Sequence, residues 1–166
     1  MQSKLFNTKY ILLLVALLSL IPTSHAVDRR GRLGVGFTNQ LKVDIPAVSF
    51  KLQRSKSFSL SGMLAYSTSD TNGGHGAALK VYRNLFAEPQ LVFYISALGG
   101  LISKKTTTTD NSGFQADLTF GSEFSFTGLQ SLGFSFEFGV SFNKLDDFVA
   151  ETTGNSFIVS AIHFYL

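Results

Sequence analysis

The chain of 166 residues contains no cysteine. No disulfide can staple it, and lipid attachment through an N-terminal cysteine is excluded. Beyond the first two dozen residues it has no apolar run near the roughly 18 residues that suggest a membrane-spanning helix. Helical patterning is missing as well, because nowhere do apolar residues recur at three and four over several turns. A strong charge of one sign is also absent from the body of the chain, so nucleic acid is not an implied partner. A bilayer-spanning form of this sequence would have to be built from strands.

What is present starts with Lys4 and Lys9, an uncharged run from Tyr10 to Ile21, Pro22, and the small-residue sequence Ser24-His25-Ala26. That order predicts a secretory signal peptide over 1–26, cut after Ala26. Its apolar run of 12 residues falls short of the roughly 20 that a spanning helix needs. The exported part, 27–166, suits a single domain. Lys4 and Lys9 belong to the discarded segment, which leaves 12 basic residues against 11 acidic ones, a net charge near +1.

In the exported part, segments with a period of two recur between clusters of Gly, Ser, Asn, Asp, Lys and Thr. They cover about 32–41, 47–53, 58–66, 77–82, 90–102, 114–124, 132–142 and 156–166. Successive side chains of a strand point to opposite faces, so each segment has two distinct sides. In 132–142, Leu132, Phe134, Phe136, Phe138, Val140 and Phe142 form one row, and only Gly, Ser and Glu137 stand between them. Short links near 54–57, 84–89 and 127–131 alternate with longer ones at 67–76, 103–112 and 143–155, which puts short and long connections at opposite ends. The pattern predicts an all-β, eight-stranded, antiparallel, up-and-down barrel.

Charge placement decides which way the barrel faces. Arg32, Lys51, Lys80, Asp117, Glu123 and Glu137 all lie opposite the Phe-rich rows. A soluble barrel would turn its charges outward, and the 16 Phe of the exported part are too bulky for the inside of so small a barrel. The expected arrangement is a transmembrane barrel with its aromatics toward lipid and its six charges paired inside as a structural polar network. In the last segment Ile158, Ile162, Phe164 and Leu166 share one face, and Phe164 and Tyr165 are expected at the membrane rim.

On this alternation and its closing strand the chain resembles the small eight-stranded outer-membrane barrels of Gram-negative bacteria, the OmpX-like proteins and the OmpA transmembrane domain. The resemblance implies an outer-membrane location with both termini periplasmic, and contact with outer-membrane lipids and lipopolysaccharide. It also implies that the barrel-assembly machinery reads a C-terminal signal, here Ile162, Phe164, Tyr165 and Leu166. The terminal Leu166 departs from the Phe usual in that group.

No catalytic constellation is recognised. His75, in Gly73-Gly74-His75-Gly76, reads as a loop residue, and His163 has Ser160 three positions away on the opposite face. The His-x-Ser motif of small-barrel lipid A deacylases does not occur. Asp146, Asp147 and Glu151 match no established calcium loop, so no metal site and no cofactor are expected. Lys104-Lys105 and the threonines after them form a low-complexity loop. The expected role is structural or surface-interacting. A narrow pore for ions or small molecules, and a lipid-modifying enzyme, are the alternatives.

Overall fold

A computed structural model describes residues 28–43, 45–69, 72–106, 110–153 and 158–166. The expected signal peptide lies outside the described residues. Nine strands occur among these residues: β1 (Leu33–Thr38), β2 (Ala47–Gln53), β3 (Phe58–Ser67), β4 (Asn72–Glu88), β5 (Leu91–Thr106), β6 (Asp110–Phe126), β7 (Leu129–Lys144), β8 (Phe148–Thr152) and β9 (Val159–Tyr165). Every pairing is antiparallel, and the ladders run from β1 through β7 in order, then from β7 to β9 and from β9 back to β1. The result is a closed eight-stranded barrel with β8 outside the ring. Closure satisfies every strand edge in the ring and leaves none to template aggregation.

β8 was not foreseen in the acidic 143–155 stretch. It pairs with Val140–Lys144 of β7, beyond the point where β9 pairs with Leu132–Glu137 of the same strand. The two therefore lie along one flank of β7. Its Phe148-Val149 start has the β-branched and aromatic character that favours strands.

The connections are shorter than the composition suggested. Much of 67–76 and 103–112 continues β4, β5 and β6 as ladders, since cross-strand pairing overrides the weak strand preference of Gly, Ser and Asn. His75, expected in a loop, sits in β4 opposite Tyr66 and Ser103 with its side chain exposed. β4 to β7 reach 16 or 17 residues, whereas β1 and β2 have 6 and 7. The wall is therefore tall on one side and low on the other. At the opposite end, two-residue links at 89–90 and 127–128 turn the chain, with Gln90 and Gly128 at φ 67° and 84°. Pro89 presets the first position of its turn and the following residue takes the positive φ, as type II geometry requires. These two ends are called the turn end and the loop end below.

The predicted faces match in orientation. Phe37, Leu64, Leu79, Leu101, Leu118, Phe136, Phe138 and Phe164 are exposed on the outside. The segment read as 32–41 behaves differently at its end: the strand stops at Thr38, and Leu41, expected to face outward, turns into the barrel and is buried. An apolar cluster of Leu41, Val43, Ala47, Met63, Ala65, Ala78, Leu98 and Ile102 fills the interior at the loop end.

Candidate functional site in the barrel interior

The interior at the turn end is charged and is assembled in layers. In the first layer, Glu123 of β6 accepts from Lys51 Nζ of β2 at 2.6 Å, from Tyr165 Oη of β9 at 2.9 Å and from Ser135 Oγ of β7 at 3.2 Å. Arg29, which precedes β1, donates to Glu123 Oε1, the oxygen that also takes the 2.9 Å bond of Tyr165, and stacks over the Tyr165 ring at 4.2 Å. The next layer joins Lys80 Nζ of β4 to Glu137 of β7 at 2.5 Å, and Glu137 also accepts from Tyr94 Oη at 3.0 Å and Thr119 Oγ1 at 2.6 Å. Tyr82 packs edge-on against Tyr94 and lies beneath both Lys51 and Lys80, at 4.4 Å and 4.9 Å. The third layer is built on Asp117, which accepts from Gln40 Nε2 at 2.9 Å and from Gln115 Nε2 at 2.9 Å. Gln40 Oε1 in turn accepts a hydrogen bond from Lys80 Nζ at 2.6 Å, which ties the second and third layers together.

Five of the six charges read from the sequence meet in this network: Lys51, Lys80, Asp117, Glu123 and Glu137. Arg32 does not. It lies part-buried at the rim and donates to the backbone carbonyls of Tyr165 and Leu166 at 2.6 Å and 3.1 Å. Its place is taken by Arg29, which sequence reasoning missed because it lies outside every alternating segment. With Arg29 the interior holds three cations and three carboxylates: Arg29 and Lys51 share Glu123, Lys80 pairs with Glu137, and Asp117 is held by the amides of Gln40 and Gln115. Such pairing is required where solvent is excluded, because an isolated buried charge costs several kcal/mol.

Tyr165 also departs from expectation. It was placed at the membrane rim with Phe164, yet its side chain points inward, 2% exposed, onto Glu123. The parity of β9 explains this, since Phe164 and Leu166 take the outside and Tyr165 must take the inside. Ile162, Phe164 and Leu166 face outward.

Two glycines on the inner face of β1 let these side chains cross it. Gly34 pairs with both Lys51 and Tyr165, and Gly36 pairs with both Ser49 and His163. A Cβ on Gly34 would come within 2.9 Å of the Tyr165 ring, and one on Gly36 within 1.7 Å of the Ile162 carbonyl oxygen. Over Gly36, His163 Nε2 and Ser49 Oγ meet at 2.9 Å, and Ser49 Oγ lies 3.0 Å from Ser61 Oγ. This Ser–His pair leaves no local signal in the sequence, because its members come from β2 and β9. His163 Nδ1 has no partner among the described residues, and His163 and Ser49 are 1% and 0% exposed. A hydrolytic triad orients its histidine with a carboxylate and opens its serine to substrate, and this pair has neither feature.

At the turn-end mouth a cavity of about 20 Å³ is lined by Arg29, Lys51, Gln53, Tyr94 and Glu123 among others, room for one or two waters. At the loop end, Lys42 Nζ reaches Glu151 Oε1 of β8 at 3.3 Å, and Glu151 also accepts from Asn143 Nδ2. Asp146 accepts from Asn111 Nδ2 at 2.6 Å.

Comparison with family models, with curated proteins and with solved structures gave no match. What the chain does is therefore argued from the geometry above.

Proposed function

We propose that the chain is an outer-membrane barrel with a structural or surface-interacting role. Its outer wall meets lipid, and its interior serves as a polar plug. The observation that carries this reading is the inversion of polarity between adjacent residues: Leu79 is 74% exposed and Lys80 1%. The same inversion holds at Phe136, Glu137 and Phe138, exposed by 47%, 3% and 51%. Water would penalise such an arrangement on both counts, and lipid rewards it. From Leu132 to Phe142 the outward row climbs about 3.3 Å per residue, and at a strand tilt of about 40° it spans about 25 Å, the height of a lipid-facing band.

The plug favours a structural role over conduction. Lys80, Tyr94 and Tyr165, each under 2% exposed or close to it, occupy the cross-section of a barrel just wide enough for side chains. The polar loop-end ladders, which carry Lys104, Lys105, Asp110 and Lys144, would stand outside the band and meet lipopolysaccharide or a surface partner. Ile162, Phe164 and Leu166 would present the last strand to the barrel-assembly machinery.

Envelope fractionation followed by gels of boiled and unboiled samples tests this directly. The expected result is an integral outer-membrane protein that migrates faster unboiled and gives no current in a planar bilayer. Recovery as a soluble periplasmic protein with no heat-dependent mobility would overturn it, and steady conductance altered by Glu137→Gln would replace the plug with a pore.

A further inference from the structure

The outer wall carries one side chain of the wrong kind. Among the described residues of the outward rows Phe58–Leu64, Ala77–Arg83, Phe93–Leu101, Phe114–Phe124 and Phe134–Phe142, Arg83 is the one that bears a charge, and it is exposed. Its guanidinium has no hydrogen-bond or ion-pair partner among the described residues. Phe58 and Ile95 flank it in the ladders, and the exposed Leu85 and Phe86 follow it toward the turn. An arginine on a lipid-facing wall is costly at mid-depth and costs little near the interface, where its stem lies along the wall and its head reaches the phosphates. Arg83 stands five residues from the end of β4 at Glu88, about 13 Å up a strand tilted by about 40°. The outward row of β7 begins at Leu132, three residues from the start of that strand, or about 8 Å up. Arg83 is therefore just inside the turn-end margin of the apolar band, with the headgroup level in reach.

A furrow begins beside this arginine. The outward row of β5 reads Ile95, Ala97, Gly99 and Leu101, so its two middle positions are nearly bare. Their neighbours are larger: Val81 and Leu118 lie either side of Ala97, and Leu79 lies beside Gly99. A Cβ on Gly99 would meet nothing within 4 Å. A hollow of about 590 Å³ runs along Arg83, Ile95, Ala97 and Leu118, and another of about 440 Å³ carries on along Leu79, Gly99 and Leu101. From Ile95 to Leu101 the strand rises about 20 Å along its own axis and about 15 Å in height. That is half of a hydrocarbon core roughly 30 Å thick, the depth of one leaflet.

We propose that the β5 furrow is a binding site for one phospholipid of the turn-end leaflet, with its phosphate on Arg83 and one acyl chain laid along Ala97 and Gly99. The planar guanidinium fork matches two oxygens of a phosphate, and that anion neutralises the one cation in the apolar wall. The acyl chain fills the hollow that the small side chains leave, and so regains contacts that a smooth wall would already have. A free phosphate can make only the first of these contacts and a lipid without phosphate only the second. The site rests on the membrane reading above, because the furrow opens onto the face assigned to lipid.

The chain contains no tryptophan, so a single introduced one reports on its own surroundings. Leu101→Trp places it at the far end of the furrow, and Phe37→Trp places it on β1, on the opposite side of the ring. The refolded full-length protein in dodecyl maltoside is titrated with phosphatidylglycerol brominated on its acyl chains, and quenching by bromine is followed. Leu101→Trp is expected to be half-quenched at a lipid concentration at least tenfold below that needed for Phe37→Trp. Brominated diacylglycerol, which lacks the phosphate, is expected to show no such preference. Adding Arg83→Gln, or Gly99→Leu to fill the furrow, should abolish the tenfold difference. If both variants keep the shifted unboiled mobility and are quenched like their parent, or if Leu101→Trp and Phe37→Trp respond alike, the lipid there is only the general solvent of the wall and the proposal fails. Recovery of wild-type protein in the soluble fraction without heat-dependent mobility would instead remove the membrane reading, before any lipid is added.

Discussion

The two halves of the barrel interior solve the same problem with opposite chemistry. At the turn end the wall supplies long charged and phenolic side chains, and these cancel one another through hydrogen bonds across the lumen. At the loop end the strands supply Ala47, Met63, Ala65, Ala78, Leu98 and Ile102, and Leu41 and Val43 of the 39–43 segment, outside the ladders, complete the apolar packing. The first half is specified by side-chain pairing and tolerates few deletions, since each charge removed strands another. The second is specified by volume, and its loss is graded. Gln40 joins them, because it lies in the 39–43 segment yet is bonded to Lys80 and Asp117.

Substitutions that separate these two modes should differ in size. The largest effect is expected at the turn end: Glu123→Gln leaves Arg29 and Lys51 without their shared carboxylate and should cost about 3–5 kcal/mol. Urea unfolding followed by gel mobility would measure it, and a cost under 1 kcal/mol would show that water already screens the layer. Leu41→Ala at the loop end should cost about 2–4 kcal/mol by loss of buried surface and the hollow it leaves. Leu79→Ala, the same change on the outer wall, should be near neutral in detergent. Equal costs for the two leucines would break the distinction between inside and outside. Gly36→Ala should cost about 1–3 kcal/mol by forcing β1 away from β9. The His163 to Ser49 contact would go with it, seen as a shifted imidazole resonance in NMR spectra. The smallest effect is expected for Lys42→Ala: its pair with the part-exposed Glu151 should contribute under about 1 kcal/mol. A cost above 1 kcal/mol in urea unfolding would show that the pair is screened from solvent.

The faces of the wall were legible in the sequence because a period of two is a strictly local signal. Lys51, Lys80, Asp117, Glu123 and Glu137 were all assigned inward from their neighbours alone, and the structure turns each of them inward. Arg29 and Gln40 could not be found that way. Both act from outside the strands, and their partners lie 94 and 77 residues away. Leu41 was misdirected for a related reason: the alternation continues past Thr38 while the backbone leaves the ladder. Tyr165 was misplaced by residue type, aromatic and near the terminus, when strand parity alone would have sent it inside. β8 was hidden by acidic neighbours, although Phe148 and Val149 carried the signal.

The rim contact of Arg32 has a consequence for how the molecule is made. Its guanidinium joins the beginning of the first strand to the carbonyls of the last two residues, 133 and 134 positions away. Hairpins such as β4–β5 and β6–β7 need only local encounters, whereas the β1–β9 seam joins residues 133 positions apart, a contact that costs more loop-closure entropy. The seam therefore completes after the hairpins, and until then β1 and β9 each carry an open edge. Arg32 is one of the side chains that bridge that seam once it has closed.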